Sequence, residues 1–241
     1  MPKPPSPSIS AAHDSAAEPI RHRSDARDKI LRAAERLFAD HGFDGCSLRT
    51  VAAMAKVNQG MIHYFFKSKE KLFLEAYMNS GRPMVEERLN LLVAEEDAMK
   101  GKPVPLERLI EIFLLPAVKL AMKGPSGRSF LRMQSRLQLD ESPMGVKLRS
   151  SLYDDSSRRY FEAFRRSLPD HSLEDVSWRF TFMLGTYQYA LASTGRLDYI
   201  SGGLCSSKDY PAALRQMIPY IAAGMHAASP SVEPRIRTAK K

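Results

Sequence analysis

The sequence predicts an all-α protein: an N-terminal three-helix helix-turn-helix domain, followed by a larger helical domain. Three observations carry this. Apolar residues recur at helical spacing along most of the 241 residues. From Met84 onward no stretch shows the every-second-residue alternation of a strand. Between Ser47 and Lys71 the helical periodicity stops and restarts within a few residues, as it does where two short helices flank a tight turn. Hydrophobic residues make up 44% of the chain, ample for a core at this length.

Residues 1–23 are rich in Pro, Ser and Ala and are expected to form a disordered tail. Arg21 and Arg23 close it, placed either to reach a phosphate or minor groove or simply to be solvated. The first helix is set at Ser24–His41, on Ile30, Ala33, Ala34, Leu37 and Phe38 at i, i+3, i+4, i+7 and i+8. Asp25 and Asp28 in its first turn suit the helix dipole, and Gly42 follows as a C′ glycine should. Its role is support for the two helices that come next.

Leu48, Val51, Ala52 and Ala55 form one apolar face, with Ser47 just before it as N-cap. Asn58 is the N-cap candidate for Gln59–Phe66, and Ser68 for the helix starting at Lys69 and continued by Leu72, Phe73, Ala76 and Tyr77. Asn79-Ser80-Gly81-Arg82-Pro83 is expected to interrupt that helix, with Pro83 opening the next. The helix-turn-helix domain is therefore drawn as 24–81, with its motif at 47–66, and the C-terminal domain as 82–228. The joining segment has to carry any signal between them.

Further helices are predicted at 83–99, 105–122, 126–139, 143–167, 172–197 and 209–227, with breaks at Gly101, Gly124, Pro143, Pro169 and Gly202-Gly203. Pro116 lies inside an apolar helix, where a kink is expected, and a kink in a bundle opens room for a ligand. The stretches Trp178–Leu191 and Leu214–Met225 are apolar on more than one stripe, so each needs a partner besides its own core. Residues 229–241 hold Arg235, Arg237, Lys240 and Lys241 against Glu233, which reads as a loose basic tail adding non-specific affinity for DNA.

Charge sharpens the functional expectation. The chain carries a formal net charge of +9. Within Ser47–Lys71, Arg49, Lys56, Lys67, Lys69 and Lys71 face Glu70 alone. A basic segment at two short helices is the footprint of phosphate binding. A helix-turn-helix lays its second helix in a major groove. Gly60, near the N-terminus of that helix, lets the backbone come close to a phosphate where free N–H groups already favour anions.

These residues carry a family resemblance. Gly42-Phe43, Ser47-x-Arg49-x-Val51-Ala52, and Ala55-x-Val57-Asn58-x-Gly60-x-Ile62-x-Tyr64-x-Phe66-x-Ser68-Lys69-x-x-Leu72 together resemble the TetR family of bacterial transcriptional regulators, without gaps over about residues 27–75. His63, Phe65 and Asn58 depart from the commonest residues of that pattern. The resemblance implies a DNA-binding repressor that acts as a homodimer through its last two helices (172–197 and 209–227) on a palindromic operator and is released by a small molecule. It implies phosphate contacts at Ser47, Tyr64, Lys67 and Lys69. Arg49, Thr50, Gln59, Met61 and His63 lie on outward faces of the motif helices as candidates for base edges, Arg49 toward guanine and Gln59 toward adenine. Phe66 is assigned to the core, whereas Phe65 fits either core or backbone contact.

A ligand pocket is sought among the large residues of the central helices: Phe113, Phe130, Met133, Tyr160, Phe164, Trp178 and Phe182, with Arg136 (one turn from Arg132) as a partner for an anionic group. Each of these is also what an ordinary core, or for Arg136 an ordinary solvated face, would contain. Twelve methionines suit an adaptable cavity. Tyr160–Leu191 is loosely similar to the C-terminal domain of a fatty-acid-responsive subgroup, which points the effector toward an acyl chain or other lipophile.

Other classes find little support. There is no P-loop, G-x-S-x-G, C-x-x-C pair or H-E-x-x-H, and the six histidines are scattered, so no catalytic residue, cofactor or metal is expected. No run of 18 apolar residues spans a membrane, and the proline-rich start lacks a signal-peptide core, so a cytoplasmic protein is expected. Cys46 and Cys205 cannot build a disulfide framework; Cys46 is either a small buried thiol or a redox switch beside the motif. A helical lipid carrier using the motif only for packing, and an enzyme using it to reach DNA, are the competing readings.

Overall fold

In the computed structural model the described residues run from 17 to 229, with side chains from Asp25 onward. The expected terminal tails over 1–16 and 230–241 lie outside them. All regular structure among the described residues is helical, and two compact units divide between Ser80 and Gly81.

The first unit contains α1 (Ala17–His41), α2 (Leu48–Ala55), α3 (Gln59–Phe66) and the start of α4 (Lys69–Met99). Helix α1 begins seven residues before Ser24, so residues 17–23, expected as tail, are helical. It ends where the sequence indicates: Gly42 sits at φ 74°, and its N–H donates to the Phe38 carbonyl at 2.9 Å. Helix α1 packs on both α2 and α3. Ile30, Ala34, Phe38, Val51, Ile62, Phe66, Leu72 and Ala76 are buried together in this unit's core. Phe73 meets Phe38 edge-on at 5.0 Å and Phe43 at 5.4 Å. The buried Glu35 carboxylate accepts from Ser80 Oγ at 3.1 Å and Asn79 Nδ2 at 3.3 Å.

Helix α4 corrects the expected break. It runs through Asn79–Pro83 without interruption, with Pro83 inside it. Proline removes one backbone donor, but Met84, Val85, Arg88 and Leu92 repeat on a buried face just beyond, and burial of that face outweighs the local signal.

The second unit is built around α5 (Leu106–Met122), buried along most of its length and in contact with α6 (Pro125–Leu137), α7 (Pro143–Ser167), α8 (Leu173–Leu191) and α10 (Tyr210–His226). Pro116 lies within α5 without ending it. Ser142, Ser172 and Asp209 cap α7, α8 and α10 by accepting from Gly145, Asp175 and Ala212 N–H groups. Gly127 is required for packing: a Cβ there would lie 1.8 Å from the Leu120 carbonyl oxygen of α5. The expected helix 172–197 stops at Leu191; the chain then turns at Gly195 (φ 75°) into the short α9 (Arg196–Ile200). Phe113, Tyr160, Phe164, Phe180 and Tyr187 form an aromatic interior, with Phe113 only 4.9 Å from Tyr160 and 5.7 Å from Tyr187.

Candidate nucleic-acid interface

The motif is assembled by its caps. Ser47 Oγ accepts from the Thr50 N–H at 3.1 Å and lies 2.7 Å from Thr50 Oγ1, fixing the start of α2. Lys56 closes α2 in the left-handed region at φ 55°, donating to Ala52 and Ala53 carbonyls. Asn58 then opens α3, its Oδ1 accepting from Gly60 N–H at 2.8 Å. A Cβ on Gly60 would stand 3.3 Å from that oxygen, so the glycine also leaves room for the cap. Ser68 caps α4 by accepting from Lys71 N–H at 3.2 Å.

Burial divides each short helix cleanly. On α2, Val51, Ala52 and Ala55 are buried while Arg49 and Thr50 are exposed. On α3, Ile62 and Phe66 are buried while Gln59, Gly60, His63 and Tyr64 are exposed and Met61 is half-buried. Tyr64 keeps 60% of its surface in solvent. Phe65 is half-buried and meets Tyr64 edge-on at 5.0 Å. Lys67, at φ 65°, donates from Nζ to the Tyr64 carbonyl at 2.9 Å and lies over the Tyr64 ring at 5.5 Å. Lys69 Nζ sits 4.4 Å from the centroid of the Phe43 ring. Neither short helix has an acid in its first turn. The result is an outward surface of hydroxyls, amide, imidazole and cations on a rigid apolar base, suited to phosphate oxygens and base edges.

Cys46, just before α2, is 3% exposed. Burial pushes its thiol above the ordinary value, and Lys69 only partly offsets this. A protonated, enclosed thiol is a poor nucleophile, so the packing reading fits and the redox one does not.

The structure redistributes the expected ligand-pocket residues. Phe113, Phe130, Met133, Tyr160 and Phe164 are core. Burial pushes the Tyr160 hydroxyl well above its ordinary value, although Arg88 acts the other way, and it donates to the Arg88 carbonyl at 2.8 Å. Trp178 and Phe182 lie apart from that core: they are 58% and 62% exposed on α8, stacked at 5.8 Å, on a stripe of α8 that faces away from the bundle, where Phe182 lines a separate groove. Arg136 is exposed. A cavity of about 230 Å³, partly open to solvent, lies in this unit, bordered by Phe113 and by Arg88, Gln134, Arg149, Tyr153, Asp154, Leu184 and Tyr187. Sequence reasoning missed Arg88. Its signal was present: it repeats with Met84, Val85 and Leu92 on one face of α4.

Among the described residues, no group of three or more metal-ligating side chains occurs, and no helix is long and apolar enough to cross a membrane.

Fold and site together define a helix-turn-helix regulator. Residues 30–76 match the family described as bacterial regulatory proteins, tetR family, and residues 111–224 match the tetracyclin repressor-like C-terminal domain. The chain belongs to the TetR family. It is similar to the HTH-type transcriptional repressor NicS of Pseudomonas putida, 37% identical over 73 residues, covering 30% of this chain and 34% of that protein. The chain thus matches about a third of the length of such curated relatives. Among solved structures, the TetR family regulator PfmR from Thermus thermophilus aligns at TM-score 0.58 and 16% identity, over 85% of this chain and 98% of that one. A candidate fatty acid metabolism regulator from Clostridium perfringens aligns at TM-score 0.57 and 21% identity, over 81% and 97%. These likenesses extend the shared fold across both units. The family consists of regulators rather than enzymes.

Proposed function

We propose that this protein is a transcriptional repressor that binds a palindromic operator as a homodimer and leaves it when a small molecule occupies its C-terminal unit. One observation carries the reading: α3 buries Ile62 and Phe66 while turning Gln59, His63 and Tyr64 to solvent, beside Arg49 and Lys67. Every amphipathic surface helix turns polar residues to water; what favours DNA is that this face has cations beside it and no acid in the first turn of either short helix. Ser47, Tyr64, Lys67 and Lys69 are assigned to phosphates, with Gly60 allowing close backbone approach. Arg49, Thr50, Gln59, Met61 and His63 are assigned to base edges.

Dimerisation through α8 and α10 is supported by the aromatic surface they leave open. Trp178, Phe182, Tyr189 and Tyr220 are each more than half exposed, and Phe182 and Tyr220 line a groove of about 410 Å³ between these helices. Exposed apolar patches of this kind mark association surfaces. Two-fold symmetry of the dimer then requires inverted half-sites about one helical turn, or a multiple of it, apart.

The effector is assigned a lipophilic body on the loose likeness of Tyr160–Leu191 to the fatty-acid-responsive subgroup; Phe113 and Leu184 give the cavity an apolar side, although most of its lining is polar. Its mechanism is a population shift: it binds better to the conformation that fits the operator worse. A coupling of about 1–3 kcal/mol weakens operator binding about 5- to 150-fold.

The test is selection of binding sites from random duplex DNA at about 150 mM salt, where non-specific phosphate binding is already weakened. An enriched inverted repeat supports the reading. Equal binding to specific and random duplex overturns it.

A further inference from the structure

The cavity of the C-terminal unit is bordered by a buried cation that forms no ion pair among the described residues. Arg88 of α4 is 2% exposed. Its Nε donates to the Phe113 carbonyl at 2.8 Å, and its guanidinium lies 4.2 Å from the Phe113 ring centroid and 5.3 Å from that of Tyr187. Its Nη2 is buried with no hydrogen-bond partner. Among the described residues, no carboxylate forms an ion pair with it; it lies against a carbonyl and two aromatic rings, and the charged side chains that border the cavity with it are Arg149 and Asp154. A buried charge of this kind is costly unless an opposite charge reaches it. Asp154 borders the cavity but is exposed to solvent.

A second observation points the same way. The Tyr187 hydroxyl accepts from Gln134 Nε2 at 3.2 Å and from Gln188 Nε2 at 3.5 Å. With its lone pairs engaged, its own proton is left to donate. A guanidinium nitrogen and a phenol proton, bordering one cavity, are what a carboxylate accepts.

We propose that this cavity is the effector site and that the effector is a small carboxylic acid, its carboxylate on Arg88 and Tyr187 and its apolar body against Phe113 and Leu184. This rests on the ligand-responsive reading above and narrows it. A volume of about 230 Å³ suits a short-chain or aromatic acid and not a long acyl chain.

The test uses the purified full chain and calorimetry with butyrate, hexanoate and benzoate, each beside its amide, and with inorganic phosphate. At least one acid binds, at least tenfold more tightly than its amide and than phosphate. Arg88→Met loses at least tenfold of that affinity, and Tyr187→Phe several-fold. Binding of none of the three acids, equal binding of acid and amide, or tighter binding of phosphate overturns the assignment. So does an Arg88→Met protein that binds the acid like the parent. Should Arg88→Met fail to fold by circular dichroism, Tyr187→Phe decides: an undiminished preference for acid over amide overturns the proposal. Operator binding is measured separately without any acid. Its presence alongside failure of every acid removes this inference alone, whereas its absence removes the repressor reading itself.

Discussion

The base-edge roles proposed for Arg49 and Gln59 rest on what these residues lack, which is any share in the core. Both are exposed on helices whose opposite faces are sealed by Val51, Ile62 and Phe66. Replacing either with Ala leaves folding intact and weakens binding to the selected operator by about 1–3 kcal/mol, with little effect on random duplex. Fluorescence anisotropy on both DNAs checks this. Lys67→Ala behaves differently. On the proposed assignment of Lys67 to a phosphate and not to a base, it weakens both DNAs alike and reduces the slope of log affinity against log salt by about one. The two cysteines differ by the same logic of exposure. Cys205 is exposed and Cys46 buried, so a thiol reagent at neutral pH titrates one group in the native protein and two after denaturation.

Helices α2 and α3 are eight residues each, too short to persist without their caps and their packing on α1. Ser47→Ala removes the oxygen that accepts from Thr50 N–H, and it lowers stability in urea melts by about 0.5–2 kcal/mol. It also loosens the helix bearing Arg49, so operator affinity falls with it. For α8 and α10 the expectation concerns association. Phe182→Glu, placed on the exposed apolar face, leaves helix content unchanged and shifts the protein to monomer in sedimentation equilibrium. A dimer that persists in that variant would assign the surface to some other partner.

Across the whole molecule, two buried groups set an alkaline limit. Burial raises both the Cys46 thiol and the Tyr160 hydroxyl above their unfolded values. Each is protonated in the native state over a range where the unfolded chain has already released its proton. Their contribution is complete below the ordinary thiol value of 9.0 and shrinks as pH climbs past it. Thermal melts from pH 7 to 10.5 therefore show a falling midpoint, and Cys46→Ala flattens the first part of that fall. The helix-turn-helix was legible in residue order because its determinants are local: caps at Ser47, Asn58 and Ser68, and periodic apolar faces spaced within one helix. The continuity of α4 through Pro83 was not, since one proline is a strong local signal and the face that overrides it is buried by residues far along the chain. The same holds for Trp178 and Phe182, apolar in sequence yet turned outward. By itself the sequence determined the helical class, the motif and which of its faces is buried, all consequences of spacing along single helices. Only the tertiary structure decided that Arg88 is a buried cation beside a cavity, because that depends on Phe113, Gln134 and Tyr187 arriving from three other helices.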